Sequence, residues 1–291
     1  MAVVSIRPVA ARVLGLIMAA WFAGGALPAL AQRMSTAEFQ DLRGRQTDLV
    51  LSSLDALQES RAGRVELYSV TFASFASQDV FKRESASVKD LLDTRFGTKG
   101  RSLLLLNHRS TLQTTALATV GNLRLALQGV GERMDTSKDV LLLFITTHGS
   151  PGMLSVEFPG LRLKELDPVT LNAMLDEAGI KHRVLVISAC YSGSFLPALS
   201  DPDTLVMTAA RADRTSFGCS NEREWTYFGD ALFNRALRNT YSFSEAFKAA
   251  KVSVTEWEKA AKFLPSEPQI AIGARIGTTL ARLQKQMEAT Q

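Results

Sequence analysis

Four short segments that are apolar at every position, residues 103–106, 140–145, 184–187 and 205–207, limit the folds open to this chain. A strand with one wet face alternates apolar and polar residues. A continuous apolar run is what a strand buried on both faces requires, and that burial is typical of parallel sheets covered by helices. Residues 115–130 and 163–178, between these runs, have helical spacing, and Gly179 ends the second. Upstream, Phe39, Leu42, Leu49, Leu54 and Leu57 predict an exposed leading helix over 35–57. Residues 65–75 read as a strand, and 80–96 as a helix closed by Gly97 and Gly100. After the Pro151-Gly152 turn, residues 154–158 read as a short hairpin arm. Residues 231–237, 244–263 and 278–287 complete a helical layer. The alternation predicts an α/β fold with three layers: a mostly parallel central sheet covered by helices on both faces. We place one domain over residues 64–291, with a helical lead over 32–63.

The first 31 residues read differently. Arg7 and Arg12 give a basic start, residues 13–30 are apolar and small, and Ala29-Leu30-Ala31 has the small-x-small pattern of a signal-peptidase site. The expectation is a signal peptide over 1–31 cut before Gln32, a periplasmic or secreted product, and no stable membrane span afterwards. The whole chain carries 33 basic and 29 acidic residues. Without Arg7 and Arg12 the balance is 31 against 29, close to neutral. No basic block is interleaved with aromatics, so nucleic acid is not the expected partner.

Two of the apolar runs end in reactive side chains. One continues into Thr146-Thr147-His148-Gly149, the other into Ser188-Ala189-Cys190-Tyr191-Ser192-Gly193. In open parallel sheets, sites lie beyond the carboxyl ends of strands. A helix over 163–178 can return the chain so that the two strands are neighbours. A thiol beside an imidazole is a nucleophile with its base, and the protonated imidazole can serve a leaving amine. The backbone N–H groups of Gly149 and Cys190 are candidate donors to a tetrahedral oxyanion.

Other chemistries fit less well. A phosphatase loop needs Arg six positions after its Cys, where this chain has Leu196. The lack of Cys-x-x-Cys, of zinc-ligand spacing and of a Gly-x-Ser-x-Gly elbow argues against a thioredoxin-like redox site, a zinc site and a serine hydrolase, and thiol–imidazole chemistry needs no metal or organic cofactor. His182 precedes a strand and reads as a surface residue. The second cysteine, Cys219, leaves a Cys190–Cys219 disulfide open as an alternative.

At the segments around Thr147-His148-Gly149 and Ala189-Cys190-Tyr191-Ser192-Gly193-Ser194, the sequence resembles the legumain-like cysteine peptidases of the caspase group. Thr226-Tyr227-Phe228-Gly229-Asp230 and, more weakly, Leu106-Asn107-His108-Arg109 extend the resemblance over roughly residues 64–240. It implies a caspase-like fold, a His148–Cys190 dyad without an obligatory third member, an oxyanion role for Gly149, and endopeptidase action on peptide or protein substrates. It also implies a substrate pocket built from Asn107, His108 and Arg109 with the loop holding Asn221 and Glu222. Tyr191 stands where legumains of higher organisms have an acidic residue, so asparagine preference does not carry over. A transpeptidase with the same dyad, and an inactive binding protein, are the competing readings.

Overall fold

The computed structural model describes residues 36–289. The expected signal segment, residues 1–31, lies outside the described residues. In chain order the elements are α1 (Thr36–Asp55), β1 (Leu67–Ala73), α2 (Asp79–Arg95), β2 (Ser102–Leu106), α3 (Val120–Arg133), β3 (Val140–Thr146) and the short arms β4 (Gly149–Ser150) and β5 (Met153–Leu154). Then come α4 (Pro168–Glu177), β6 (His182–Ser188), α5 (Leu196–Leu199), β7 (Thr204–Thr208), α6 (Tyr227–Gly229), α7 (Phe243–Ala260), β8 (Gln269–Ile272) and α8 (Ile276–Glu288). Among the described residues no helix is long and apolar enough to cross a membrane.

The six-stranded sheet has the order β2-β1-β3-β6-β7-β8. The first five strands are parallel, and β8 pairs antiparallel with β7 at the edge. In the central strands β1, β3 and β6 every residue is buried, as the continuous apolar runs require. Successive side chains point to opposite faces, so each run feeds two cores. Leu141, Leu143, Ile145, Leu185 and Ile187 pack with Val50 and Leu54 of α1, Leu123 and Leu127 of α3, and Leu171 and Leu175 of α4. Val140, Leu142, Phe144, Val184 and Val186 pack with Val88 and Leu92 of α2, Phe247 and Val254 of α7, and Ile276 and Leu283 of α8. The three-layer α/β architecture follows directly.

Several boundaries differ from expectation. The leading helix is not simply an exposed lead, because Val50 and Leu54 are buried in the first core. The helix expected from residue 115 begins at Val120, where Thr119 caps it by accepting from Asn122 N–H. Residues 116–118 are buried but lie outside any helix or strand, with Leu117 N–H donating to Gln46 Oε1 and Ala118 N–H to Asn107 Oδ1. Buried apolar residues outside regular structure mimic a helical pattern. The helix expected from 163 starts at Pro168, behind the Asp167 cap. The hairpin arm is at Met153–Leu154 rather than 154–158. His182 is not on the surface: it is the first residue of β6 and is buried.

Candidate active site

β3 and β6 stay in parallel register to their last pair, Thr146 with Ser188. His148 and Cys190 therefore leave the sheet at the same level, each two residues beyond that pair. Thr147 N–H still donates to Ser188 O at 3.2 Å. Gly149 then lies directly against the Cys190 carbonyl and the Ala189 side chain, and a Cβ at 149 would collide with that carbonyl. Close approach of the two strand ends is the reason residue 149 has no side chain.

The His148 ring is half-buried between two aromatics, edge-on to Phe75 at 4.5 Å and to Phe81 at 5.2 Å between centroids. Its Nε2 lies 2.5 Å from Gln78 Oε1. Gln78 is the residue before the first turn of α2, yet its side chain makes no cap bond there; it is committed to the imidazole. Burial holds the His148 pKa below its ordinary value, because the charged ring is poorly solvated among aromatics.

Cys190 is half-buried and faces the loop after β7. Its sulfur accepts from Ser216 N–H at 3.3 Å and lies 3.7 Å from Ser216 Oγ, while the thiol can donate to Ser216 O at 3.5 Å. The next residue, Tyr191, is left-handed at φ 56 and ψ 15, a conformation costly for a bulky side chain. Neighbouring hydrogen bonds hold it. Tyr191 N–H donates to Arg214 O at 2.7 Å. Ser194 Oγ donates to Tyr191 O at 2.7 Å and accepts from Gly152 N–H at 3.0 Å. The sharp turn puts the sulfur at the rim of the sheet rather than within it.

Cys190 and Cys219 are both free thiols, so the disulfide left open by the sequence is not formed. Cys219 is half-buried against Ala73, Val80, Phe81 and Leu106. Burial pushes its thiol pKa up, with a smaller push from Cys190.

The segments assigned to a substrate pocket by resemblance do meet, but through residues the sequence did not single out. Asp79 Oδ1 lies 3.0 Å from His108 Nε2, and Asp79 N–H donates to Asn221 Oδ1 at 2.9 Å. Arg83 donates to the carbonyls of Asn221 and Arg223 and pairs with Glu224 at 3.3 Å. Arg109 and Glu222 are exposed, and Tyr191 is half-buried. Asn107 is turned inward: it is buried, its amide donates to Ser74 O, Ala118 O and Glu157 O, and its carbonyl accepts from Ala118 N–H. A buried side chain with its hydrogen bonds directed this way fixes a loop. Gln78 and Ser216 carry no sequence signal, since their partners lie 70 and 26 residues away.

The model of the Peptidase C13 family matches residues 121–278, a span that contains His148, Gly149 and Cys190. No curated protein matches the chain in sequence. Among solved structures, the crystal structure of caspase-1 from Spodoptera frugiperda is similar, with a TM-score of 0.49 and 18% identity over 72% of this chain and 87% of that one. The resemblance to legumain-like peptidases is thus matched by a family model over more than half of the chain: the protein belongs to the peptidase C13 family of cysteine peptidases.

Proposed function

We propose that the protein is a cysteine endopeptidase working through a His148–Cys190 dyad. The observation that carries this reading is the packing of Gly149 on the Cys190 carbonyl, at the carboxyl ends of two paired parallel strands. With Nε2 engaged by Gln78, Nδ1 is the nitrogen that takes the thiol proton. The sulfur bonds to the scissile carbonyl carbon, and the N–H groups of Gly149 and Cys190 receive the oxyanion. His148 returns the proton to the leaving amine as the C–N bond breaks, leaving a thioester that water hydrolyses. Burial of the ring favours its neutral form, the state needed to accept that proton.

The test is a peptide-library cleavage profile with the parent, Cys190→Ala and His148→Ala. Cleavage by the parent alone supports the dyad, and cleavage by Cys190→Ala at the parent rate sinks it. An added amine acceptor in the same assay separates hydrolysis from peptide transfer, since both pass through the thioester. We further infer export, supported by the basic, apolar and Ala29-Leu30-Ala31 segments. N-terminal sequencing of the protein from its native host should begin at Gln32; a product that retains residues 1–31 contradicts it.

A further inference from the structure

Glu84 of α2 is fully buried, and the dyad chemistry does not use it. Its Oε2 accepts from Thr146 Oγ1 at 2.5 Å. Its Oε1 accepts from the backbone N–H of Thr226 at 3.1 Å and from the Thr226 hydroxyl at 2.7 Å. Thr226 Oγ1 also lies 3.0 Å from Ser188 Oγ. Thr146 and Ser188 are the last residues of β3 and β6 and are register partners. Each stands two positions before a dyad member. One carboxyl therefore joins the strand leading to His148 directly and, through Thr226, the strand leading to Cys190 and the loop that carries Ser216.

The space for this carboxyl is shaped from the far side as well. Thr226 caps α6 by accepting from Gly229 N–H at 3.0 Å. A Cβ on Gly229 would collide with Glu84 Oε1. Burying a carboxyl costs several kcal/mol of hydration unless its hydrogen bonds are made. An apolar side chain would fill the volume without that cost, so the hydrogen bonds are what the carboxyl contributes.

We propose that Glu84 is a positioning residue of the active site. It sets the spacing of the strand ends that bear His148 and Cys190, and it seats the loop that brings Ser216 to the sulfur. This inference rests on the peptidase reading. Displacement of reacting groups by about 1 Å can cost up to about 100-fold in rate, so a brace at this level acts on turnover rather than on substrate affinity.

The experiment uses the processed chain, with kcat and KM measured per titrated active site and with the rate of Cys190 alkylation by iodoacetamide. Glu84→Ala should lower kcat ~10- to 100-fold with KM changed less than ~2-fold. Glu84→Gln keeps the shape and the acceptor facing Thr226, and should restore kcat to within ~3-fold of the parent. Ser188→Ala removes one hydroxyl, leaves every Glu84 bond in place, and should lower kcat by ~3-fold or more. Parent-level kcat per titrated site in Glu84→Ala or in Ser188→Ala overturns the proposal, and the second variant decides it if the first does not fold. A parent that cuts no peptide would instead count against the peptidase reading. In that case equal alkylation rates in the parent and Ser188→Ala overturn the brace, and a slower Ser188→Ala supports it.

Discussion

His148 Nε2 and Gln78 Oε1 stand 2.5 Å apart across 70 residues of chain. The contact fixes the ring plane, with Phe75 and Phe81 as its walls. Removing the amide leaves the ring its apolar walls but not its orientation. Gln78→Ala is expected to lower kcat about 5- to 10-fold, the equivalent of about 1 kcal/mol, with a urea midpoint close to the parent. Steady-state kinetics with a denaturation curve checks this, and an unchanged kcat removes Gln78 from the site.

Burial among aromatics depresses the His148 pKa, so the neutral ring survives to lower pH than a free histidine. The acid limb of kcat/KM is expected below the ordinary value of 6.5. The linked stability has a matching sign: the neutral ring's contribution is present above the unfolded pKa and is lost as pH falls through the depressed folded value. A pH–rate profile whose acid limb lies above 6.5 contradicts the assignment.

Two thiols of unequal reactivity are expected. Cys190 faces the loop at Ser216, with N–H and O–H groups near its sulfur, whereas burial pushes the Cys219 pKa up. Limited iodoacetamide treatment at neutral pH, followed by peptide mass mapping, should label Cys190 first. Preferential labelling of Cys219 would reverse the roles drawn here.

Glu84 has a pKa pushed up to about 7, chiefly by burial, with hydroxyl and amide bonds opposing and the nearby Asp230 charge reinforcing. The Glu84 charge in turn adds a small upward push to the Cys219 thiol. A carboxyl raised above its unfolded value of 4.5 contributes stability that is full below that pH and is lost as pH rises through about 7. Urea midpoints of the parent should fall across this window, and those of Glu84→Gln should fall less. Parallel curves for the two proteins would show that the carboxyl is not protonated in the fold.

The fold was legible wherever burial alone dictates structure. β3 is apolar from Val140 to Ile145 and β6 from Val184 to Ile187 because both faces are covered, and His148 and Cys190 follow their ends. Legibility failed where long-range partners decide. Residues 116–118 are apolar yet not helical, since Asn107 and Gln46 supply their hydrogen bonds. β8 is a half-buried edge strand of four residues, too short to show a period. Among site residues, Gln78 looks like any residue before a helix. Glu84 did leave a trace: it lies three residues after Phe81 and four before Val88 on the apolar face of α2, where a carboxylate is out of place.

Because β1, β2, β3, β6 and β7 all run the same way, their tails converge on one rim and their heads on the other. The proposed dyad follows the finishing ends of β3 and β6, leaving the opposite rim to hold the scaffold together. Loops at the finishing ends can therefore be altered while the opening ends keep their own contacts, such as the Glu66 N–H bond to Asp139.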